Sequence, residues 1–252
     1  MTYIEQKFSD YLKRFANGGT KTRLPAEDFN VRDITVTNLI NVDDERLYAD
    51  VHFLFGYDNG SEMFTTNLGY RFFYQDDETV KTDLVYVAGN TYLFKDFQVI
   101  TENTIDNSPL YDFQIRNNKD LISVFAWALD TEDVRLLHRC CDENICIKRS
   151  GVNGDHYELE GLEKAADFIK QDKTYYKENM YSLVIEKEDV DTILAYHLYP
   201  ANTGNKHLGS NTRYVQFFNE DITFTIDDLK ICKVIFKRKE RPIVKRSQIL
   251  YL

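Results

Sequence analysis

The sequence is short of the residues that punctuate or cross-link a chain: its 252 residues include 11 glycines, 4 prolines and 4 cysteines. So little glycine and proline excludes collagen-like repeats and flexible low-complexity linkers. The cysteines are Cys140, Cys141, Cys146 and Cys232. One adjacent pair and two scattered residues do not make a disulfide framework, so we expect reduced thiols inside a cell.

Long apolar runs and an excess of basic residues are also lacking. No run approaches the ~20 residues that a membrane-spanning helix needs, and the first residues are too polar for a secretory signal. The 41 acidic residues outnumber the 31 basic ones and give a formal net charge of −10. This balance argues against nucleic acid as a partner of the whole surface. We therefore expect neither a membrane nor a specific nucleic acid as partner.

Aromatic residues, by contrast, are abundant: the chain has 17 tyrosines, 17 phenylalanines and one tryptophan. A hydrophobic content of 43% beside 29% charged residues is typical of a folded globular chain. Tyrosine suits contact surfaces, because its ring is apolar while its hydroxyl tolerates water. The composition favours a folded protein whose exposed faces bind other molecules or further copies of itself.

The N-terminal segment has the pattern of an amphipathic helix over Thr2 to Ala16, with Gly18 and Gly19 as its stop. The apolar residues that form its stripe are Ile4, Phe8, Tyr11, Leu12 and Phe15. Such a stripe must be buried either on the chain's own core or on a neighbouring subunit. We therefore predict a helical arm over residues 1–19, followed by a single β-rich domain with peripheral helices over residues 20–252.

A period of two follows the arm and predicts antiparallel strands. The alternating segments Leu47–Phe55 and Phe64–Tyr74 flank the turn residues Asp58-Asn59-Gly60-Ser61. Because Asn-Gly readily takes the positive φ values of a tight turn, the two segments should form a hairpin. We expect a second hairpin where Val80–Val87 meets Tyr92–Ile100.

Further elements are predicted in the second half. The apolar run Leu121–Leu129 indicates a buried strand, and Asp130 or Thr131 should cap a short helix from Glu132 to Arg139. A second amphipathic helix is expected over Leu159–Ile169. The remaining predictions are strands near 181–185, 193–198, 213–218, 222–226 and 230–236, and an exposed loop over 200–211. The fold class that follows is α+β, mainly antiparallel β and sandwich-like, with an N-terminal amphipathic helix and one or two further helices.

Catalytic and metal-binding patterns are weak. The tightest cluster of ligand-type residues is His138, Cys140, Cys141, Cys146 and His156. Zinc favours two spaced pairs, and adjacent cysteines on an extended chain point to opposite faces, so buried thiols beside a surface histidine are the better interpretation. Acidic pairs such as Asp43-Asp44 stand where turns are expected, and no serine stands in a nucleophile elbow. We therefore expect no enzyme activity, no cofactor and no metal.

A basic stretch near the C-terminus stands out in this acidic chain. Its residues are Lys237, Arg238, Lys239, Arg241, Lys245 and Arg246. One interpretation is the solvated end of the last strand. The functional alternatives are a nuclear address, a phosphate-binding patch or a docking surface for the acidic face of a neighbouring copy. Charge asymmetry within one chain favours the last of these, self-association by complementarity.

Several segments, taken in order, resemble insect-virus polyhedrins of the cypovirus type. The segments that carry the resemblance are the aromatic strand and turn Val51–Ser61, Ile122–Phe125 followed by Asp133–Leu136, Ile147–Gly151 followed by His156–Leu159, and more weakly Leu208–Ser210 with Val215 and Phe217. The C-terminal third departs from the family's pattern. The resemblance implies a viral occlusion-body matrix protein, a non-enzymatic structural protein that packs into crystals in the cytoplasm or nucleus of the infected host cell. Its partners would then be further copies of itself and virions.

The resemblance also implies a role for the N-terminal helix and a route of release. In that family the helix reaches across to neighbouring subunits, a role that would fall here on the five apolar residues of the arm. Such crystals dissolve in an alkaline gut. Tyrosine titrates near pH ~10, so tyrosine-rich contacts would gain negative charge and separate as the pH rises. The candidate residues are Tyr48, Tyr57, Tyr70, Tyr74, Tyr175, Tyr176 and Tyr181.

The composition also suits a different class of protein. An acidic surface could capture a basic protein partner, as in intracellular inhibitor or immunity proteins of phages and bacteria. The two hypotheses, a self-assembling structural protein and an acidic binding domain, stay open at this point. A metal- or nucleotide-dependent enzyme would need a ligand at His138 and Cys146 or along residues 237–246.

Overall fold

The computed structural model of the chain describes residues 1–17, 30–58, 63–89, 105–150, 156–170, 183–189, 192–201, 214–240 and 244–245. Within these ranges the helices are α1 (Tyr3–Ala16), α2 (Ser108–Asp112), α3 (Asn118–Thr131), α4 (Val134–Cys140) and α5 (Leu162–Lys170). The first strands are β1 (Asn30–Asn41), β2 (Arg46–Asp58), β3 (Met63–Gln75), β4 (Val80–Gly89), β5 (Cys141–Ser150) and β6 (His156–Glu160). The later strands are β7 (Val184–Glu188), β8 (Thr192–Ala201), β9 (Tyr214–Asp227), β10 (Lys230–Glu240) and β11 (Val244–Lys245).

Contacts group the chain into two units, one of Met1–Pro109 with Arg246–Leu252 and one of Leu110–Lys245. The sequence-based division placed its boundary at residue 19 and joined residues 20–252 into one domain. In the structure, α1 and the first sheet share one unit, while the second sheet lies in the other. No helix within the described ranges is long and apolar enough to cross a membrane.

The first unit is an antiparallel sheet in the order β1-β2-β3-β4 with α1 on one face. The predicted hairpin is present, because β2 pairs with β3 in continuous register from Arg46 opposite Gln75 to Asp58 opposite Met63. The strand predicted over Val80–Val87 is also present as part of β4, and it pairs with β3. Its predicted partner, Tyr92–Ile100, lies outside the described residues.

Helix α1 begins at a capping box. The Thr2 side chain accepts a hydrogen bond from the Glu5 backbone N–H at 3.3 Å, and the Glu5 carboxylate accepts one from the Thr2 N–H at 2.9 Å. These bonds satisfy two of the N–H groups that every helix start leaves without a helical partner. At the other end, Lys13 and Arg14 place positive charge near the negative end of the helix dipole.

The second unit is built on a sheet in the order β6-β5-β10-β9-β8-β7, with β11 paired to β9. The described pairings of this sheet are antiparallel, except that β10 and β5 are parallel. Helices α3 to α5 belong to this unit, and α2 crosses the boundary between Pro109 and Leu110. Sheets that are mainly antiparallel, with helices attached, confirm the predicted α+β class.

The predicted strand over Leu121–Leu129 is wrong, because these residues lie in α3. Every residue of this run is buried, so the helix has no polar stripe, and periodicity alone cannot tell such a helix from a buried strand. The local start signal was in the sequence: Asn117 caps the helix by accepting a hydrogen bond from the Asp120 N–H at 2.9 Å.

Several predicted boundaries also change. The short helix is α4, and its cap is Asp133 rather than Asp130 or Thr131. Helix α5 begins at Leu162, and Leu159 belongs to the preceding strand. The two strands predicted over 213–218 and 222–226 are one strand, β9. Pro200, expected in a loop, lies in β8 opposite Phe217, whereas residues 202–211 lie outside the described part of the chain.

Candidate functional site

The apolar stripe of the predicted arm lies on the chain's own sheet. Ile4, Phe8, Tyr11, Leu12 and Phe15 are each at most 4% exposed. They pack on the face of the sheet formed by β2 and β3, where Phe15 contacts the ring of Phe53 at 5.4 Å between centroids. The sequence left open whether this stripe is buried on the chain's own core or on a neighbouring subunit. In the structure it is buried on the chain's own core. A contact between copies through the same residues would require exchange of the helix.

The basic stretch is only partly described. Lys237 is exposed on β10, and Arg238 and Lys239 follow it in the same strand. The register places Lys237 opposite Asp221 and Arg238 opposite Glu220 on β9. The opposite charges of Lys237 and Asp221 attract each other within one sheet. Lys245 lies in β11, and Arg241 and Arg246 lie outside the described residues.

The tyrosines expected at alkaline-sensitive contacts are not all at a surface. Tyr48, Tyr70 and Tyr74 are buried, the most exposed of them by only 7%. Burial raises the pKa of Tyr70 well above its ordinary value. The pKa of Tyr74 is also raised, first by burial and then by the charge of Glu78. The side chain of Tyr57 and the residues Tyr175, Tyr176 and Tyr181 lie outside what the structure describes.

The cysteine and histidine cluster does not form a metal centre among the described residues, where no three metal-ligating side chains come together. Cys140 and Cys141 nevertheless lie with their sulfur atoms 3.8 Å apart. The sequence-based expectation that the two point to opposite faces is therefore wrong. It assumed an extended chain, whereas Cys140 is the last residue of a helix and Cys141 the first of a strand.

The most unusual group in the first unit is a row of polar side chains on the sheet face away from α1. Asn38 on β1 is opposite Asp50 on β2, Asp50 is opposite Arg71 on β3, and Arg71 is opposite Asp83 on β4. We call these four residues the polar row. Their exposures are 2%, 0%, 2% and 3%. Charged side chains are rarely buried this completely unless they are paired or functional.

Hydrogen bonds fix the first three members of the polar row. The Arg71 guanidinium donates from Nε to Asp50 Oδ1 at 2.9 Å and from Nη2 to Asp50 Oδ2 at 3.0 Å. Asn38 Nδ2 donates to the same Asp50 Oδ2 at 2.9 Å. Both carboxylate oxygens of Asp50 are thus engaged. The paired bonds of the guanidinium hold it in one orientation.

Asp83 stands at the other end of the polar row. Its Oδ2 accepts a hydrogen bond from the backbone N–H of Ile105 at 3.3 Å. One residue later, the Asp106 carbonyl accepts a hydrogen bond from the Tyr48 hydroxyl. Tyr48 is two residues before Asp50 on β2, so it lies on the same sheet face. The segment at residues 105–106 therefore lies against the face that carries the polar row.

Both outer strands of the sheet are irregular beside the polar row. In β1 the register shifts between Val36 and Asn38. In β4 it shifts between Leu84 and Tyr86, because these two residues are opposite Tyr70 and Gly69, which are neighbours on β3. An extra residue of this kind re-aims the side chains next to it, and such bulges are frequent near functional sites. Here the two bulges determine that Asn38 of β1 is opposite Asp50 and that Asp83 of β4 is opposite Arg71.

The charges within the polar row do not cancel. Two carboxylates and one guanidinium give a formal charge of −1. Asp83 and Arg71 each make further interactions within the fold. A buried charge is favourable only with a partner of opposite charge or several hydrogen-bond donors. The polar row is held by interactions among its members and their neighbours.

Sequence reasoning missed the polar row. Asp50 stands in an alternating strand beside Tyr48 and His52, and no local motif distinguishes it there. Arg71 interrupts the aromatic run from Tyr70 to Tyr74. A charged residue in the middle of a strongly aromatic strand is the signal that could have indicated it, but only the register of four strands brings the members together.

Comparisons with known proteins give no family for this chain. No family model matches it, and no curated protein matches it. Among solved structures, a protein from work on the de novo design of proteins with diverse pocket structures has 17% identity and a TM-score of 0.37, covering 48% of this chain and 96% of that one.

Two natural proteins are similar at the same level. A SnoaL-like polyketide cyclase from Agrobacterium tumefaciens has 18% identity and a TM-score of 0.34, covering 50% of this chain and 93% of its own. A LEH-like epoxide hydrolase from M. tuberculosis has 14% identity and a TM-score of 0.33, covering 47% and 80%. Likenesses at these identities and TM-scores carry no conclusion about what this chain does.

Proposed function

We propose that the protein is a structural protein whose copies associate head to tail through opposite ends of the second sheet, and that its role is assembly rather than catalysis. The observation that carries the proposal is the separation of exposed charge along β10 and the strands beside it. One end of this sheet carries exposed carboxylates, and the other carries the exposed Lys237. A second copy of the chain is complementary in charge to both ends.

Carboxylates gather where β9 turns into β10 and where β5 begins. The set that we call the acidic end is Asp142, Glu143, Asp227 and Asp228. Three of the four are exposed, and Asp142 is half-buried. The register brings the two segments together, because Ile231 at the start of β10 is opposite Cys141 of β5 and Ile226 of β9. The pKa of the Cys232 thiol is raised, first by burial and then by the charges of Asp142 and Asp227, so both carboxylates lie near this thiol.

Two other residues of the turn affect what the acidic end can bind. Lys230 donates from Nζ to the carbonyl oxygens of His138 and Arg139, so its charge is held against the end of α4. Leu229 is 38% exposed between Asp228 and Lys230. An exposed apolar side chain beside carboxylates gives a partner apolar area to bury at the centre of a polar contact.

Lys237 lies far enough from the acidic end for the two charges to act separately. The strand rises roughly 23 Å between Lys230 and Lys237, at about 3.3 Å per residue. Screening acts within ~10 Å at 0.1 M salt, so the two ends of one copy do not neutralise each other. Asp221, opposite Lys237, is half-buried, so the exposed lysine is the more accessible of the two.

Attraction between opposite ends makes a contact that two copies do not use up. Each copy still presents one end of either charge, so further copies add and form closed rings or open filaments. Repeated addition of this kind is what an occlusion-body matrix requires, and the occlusion body itself stays a prediction from the sequence resemblance. The apolar stripe of α1 is buried on the chain's own sheet, so the proposal assigns the contact to charge rather than to the helical arm.

Sedimentation velocity of two charge-reversal variants and of their equimolar mixture tests the proposal. Glu143→Lys, Asp227→Lys reverses the acidic end, and Lys237→Glu reverses the other end. Asp228 is kept, because its φ of 45° lies in the left-handed region that aspartate tolerates better than lysine. We expect the unchanged protein to associate at low salt and each variant alone to associate at least tenfold more weakly. The mixture should regain the association, because each variant supplies the end that the other lacks.

Asp112→Lys, Asp167→Lys is the matched control. Both residues are exposed carboxylates of the second unit, on α2 and α5, so this variant changes the net charge equally and leaves the acidic end intact. It should associate as the unchanged protein does. Equal association of the control and of Glu143→Lys, Asp227→Lys would contradict the proposal, as would a mixture that associates no more strongly than its components. Circular dichroism of each variant separates lost association from misfolding.

Capture of a basic protein partner, the second hypothesis from the sequence, would use the same acidic end. Oligolysine is the probe that separates the two functions. A protein that stays monomeric at low salt, yet binds oligolysine less tightly after Glu143→Lys, Asp227→Lys, would contradict self-assembly and favour the acidic binding domain. In that case Lys237→Glu would bind oligolysine at least as tightly as the unchanged protein.

A further inference from the structure

The junction between α4 and β5 brings two thiols together in the second unit. Cys140 ends the helix, and Cys141 begins the strand with φ −107° and ψ 152°. This change of backbone direction between neighbouring residues places their sulfur atoms 3.8 Å apart. Cys140 Sγ also lies 3.5 Å from the carbonyl oxygen of Leu137 one turn earlier.

The surroundings of the pair are closed. Cys140 is 0% exposed and Cys141 is 2% exposed. Lys230 on the neighbouring strand β10 donates from Nζ to the carbonyl oxygen of Arg139 at 2.8 Å and to that of His138 at 3.2 Å. These bonds hold the last carbonyls of α4, a helix of 7 residues. A reaction at these sulfur atoms therefore requires the C-terminal end of α4 to open.

We propose that Cys140 and Cys141 are a modification site, at which the two thiols form a reversible disulfide with each other when the chain meets a disulfide oxidant such as glutathione disulfide. The thiolate of one cysteine attacks a sulfur of the oxidant and releases one glutathione. The second cysteine then attacks the mixed disulfide and releases the other. Two protein thiols are oxidised, one glutathione disulfide is reduced to two glutathiones, and two thiol protons pass to the products.

The geometry favours a disulfide that is easily reversed. The sulfur atoms must approach from 3.8 Å to the bond length of about 2.05 Å. The Cα atoms of neighbouring residues are about 3.8 Å apart, which is below the usual range for disulfides. A disulfide under such constraint is more readily reduced than a structural one, so the pair suits a switch rather than a permanent cross-link.

The other two cysteines serve as internal controls. Cys146 is partly exposed, and its sulfur lies 3.8 Å from Glu158 Oε1 on the neighbouring strand. Cys232 is also partly exposed, and its sulfur lies 3.7 Å from the Lys230 carbonyl oxygen. An oxidant that acts only on exposure would modify Cys146 and Cys232 first. Formation of a bond between Cys140 and Cys141 would instead reflect their proximity.

Incubation of the full-length protein with glutathione disulfide, without denaturant, tests the proposal. We expect peptide mapping to show loss of two hydrogen atoms in the peptide that contains Cys140 and Cys141, and full reversal by dithiothreitol. Cys146→Ser and Cys232→Ser should form the same bond, whereas Cys140→Ser and Cys141→Ser should not. Mapping of the unchanged chain assigns the bond even if a serine variant fails to fold.

The proposal is overturned if glutathione adducts accumulate on Cys146 and Cys232 while Cys140 and Cys141 stay reduced. It is also overturned if either residue of the pair links to another cysteine. Phenylarsine oxide gives an independent readout, because one arsenic atom bonds two thiols with release of one water molecule. We expect one arsenic per chain in the unchanged protein and in the Cys146→Ser, Cys232→Ser double variant, and none in Cys140→Ser.

Discussion

The guanidinium of Arg71 and the carboxylate of Asp50 form two parallel hydrogen bonds of 2.9 and 3.0 Å in the interior of the first unit. Their side chains are 2% and 1% exposed. Removal of one partner from such a pair leaves the other charge buried without these two hydrogen bonds. We expect Arg71→Ala or Asp50→Ala to lower the free energy of unfolding by about 3–5 kcal/mol.

Urea unfolding followed by circular dichroism measures this effect. The matched control is Arg46→Ala, because Arg46 and its partner Asp43 are each 41% exposed. A pair in that position contributes less than about 1 kcal/mol. The double variant Asp50→Leu, Arg71→Met should be more stable than either single variant, since neither charge of the pair is then left buried without the other. Equal losses for Arg71→Ala and Arg46→Ala would contradict the prediction.

Much of the first sheet could be predicted from the sequence, because its information is local. The alternation on both sides of Asn59-Gly60 predicts a hairpin by itself, and β2 pairs with β3 as expected. The second hairpin was only half testable, since Tyr92–Ile100 lies outside the described residues. The prediction for α3 was wrong for a physical reason. A helix that is buried on all sides has no polar stripe, and sequence patterns depend on that stripe.

The candidate sites could not be predicted in the same way. Asn38 and Asp83 stand 45 residues apart in the sequence, and they share a row only through two intermediate strands and the bulges beside it. The Cys140–Cys141 contact depends on where a helix ends and a strand begins, which patterns place only to within a few residues. In both cases the chemistry depends on tertiary structure that no local motif carries.

Helix α1 should stabilise the first unit through its aromatic residues. Phe15 is 0% exposed and contacts the rings of Phe53, Tyr70 and Phe72 at 5.4–5.9 Å between centroids. We expect Phe15→Ala to lower the free energy of unfolding by about 3–5 kcal/mol, because it leaves a cavity among these rings.

Tyr3→Ala is the matched control for Phe15→Ala. Tyr3 lies on the same helix but is 63% exposed, so its removal should change the free energy of unfolding by no more than about 0.5 kcal/mol. Thermal and urea unfolding of both variants give the comparison. If Phe15→Ala were as stable as the unchanged protein, α1 would not be anchored on this sheet, and the hypothesis of a helix that reaches a neighbouring subunit would gain support.

Alkaline pH should destabilise the first unit through its buried tyrosines. Burial raises the pKa of Tyr70 above its ordinary value, so the folded state holds the phenolic proton more tightly than the unfolded chain does. The unfolded tyrosine titrates near pH ~10. The stabilisation that Tyr70 contributes is therefore complete below this pH and is lost as the pH rises further. Each such group contributes a slope of at most about 1.4 kcal/mol per pH unit.

Urea unfolding at several pH values between ~8 and ~11 measures this slope. Tyr70→Phe should lose stability less steeply than the unchanged protein, because it has no phenolic proton to release. Tyr3→Phe, which removes an exposed phenol, is the matched control and should leave the slope unchanged. Identical slopes for all three proteins would show that burial of Tyr70 is not linked to alkaline unfolding.

Self-association by complementary charge makes a separate prediction, on which the structural-protein hypothesis depends. Lys237 is exposed at the end of β10 in a chain of formal charge −10. Contacts between exposed charges are screened within ~10 Å at 0.1 M salt and reach ~30 Å at 0.01 M. We therefore expect sedimentation velocity to show association at low salt that is lost at high salt, and Lys237→Glu to weaken this association at least tenfold.

Lys187→Glu is the control, since Lys187 is exposed on a different strand and pairs with Asp189. A monomer at every salt concentration would remove the charge argument for assembly.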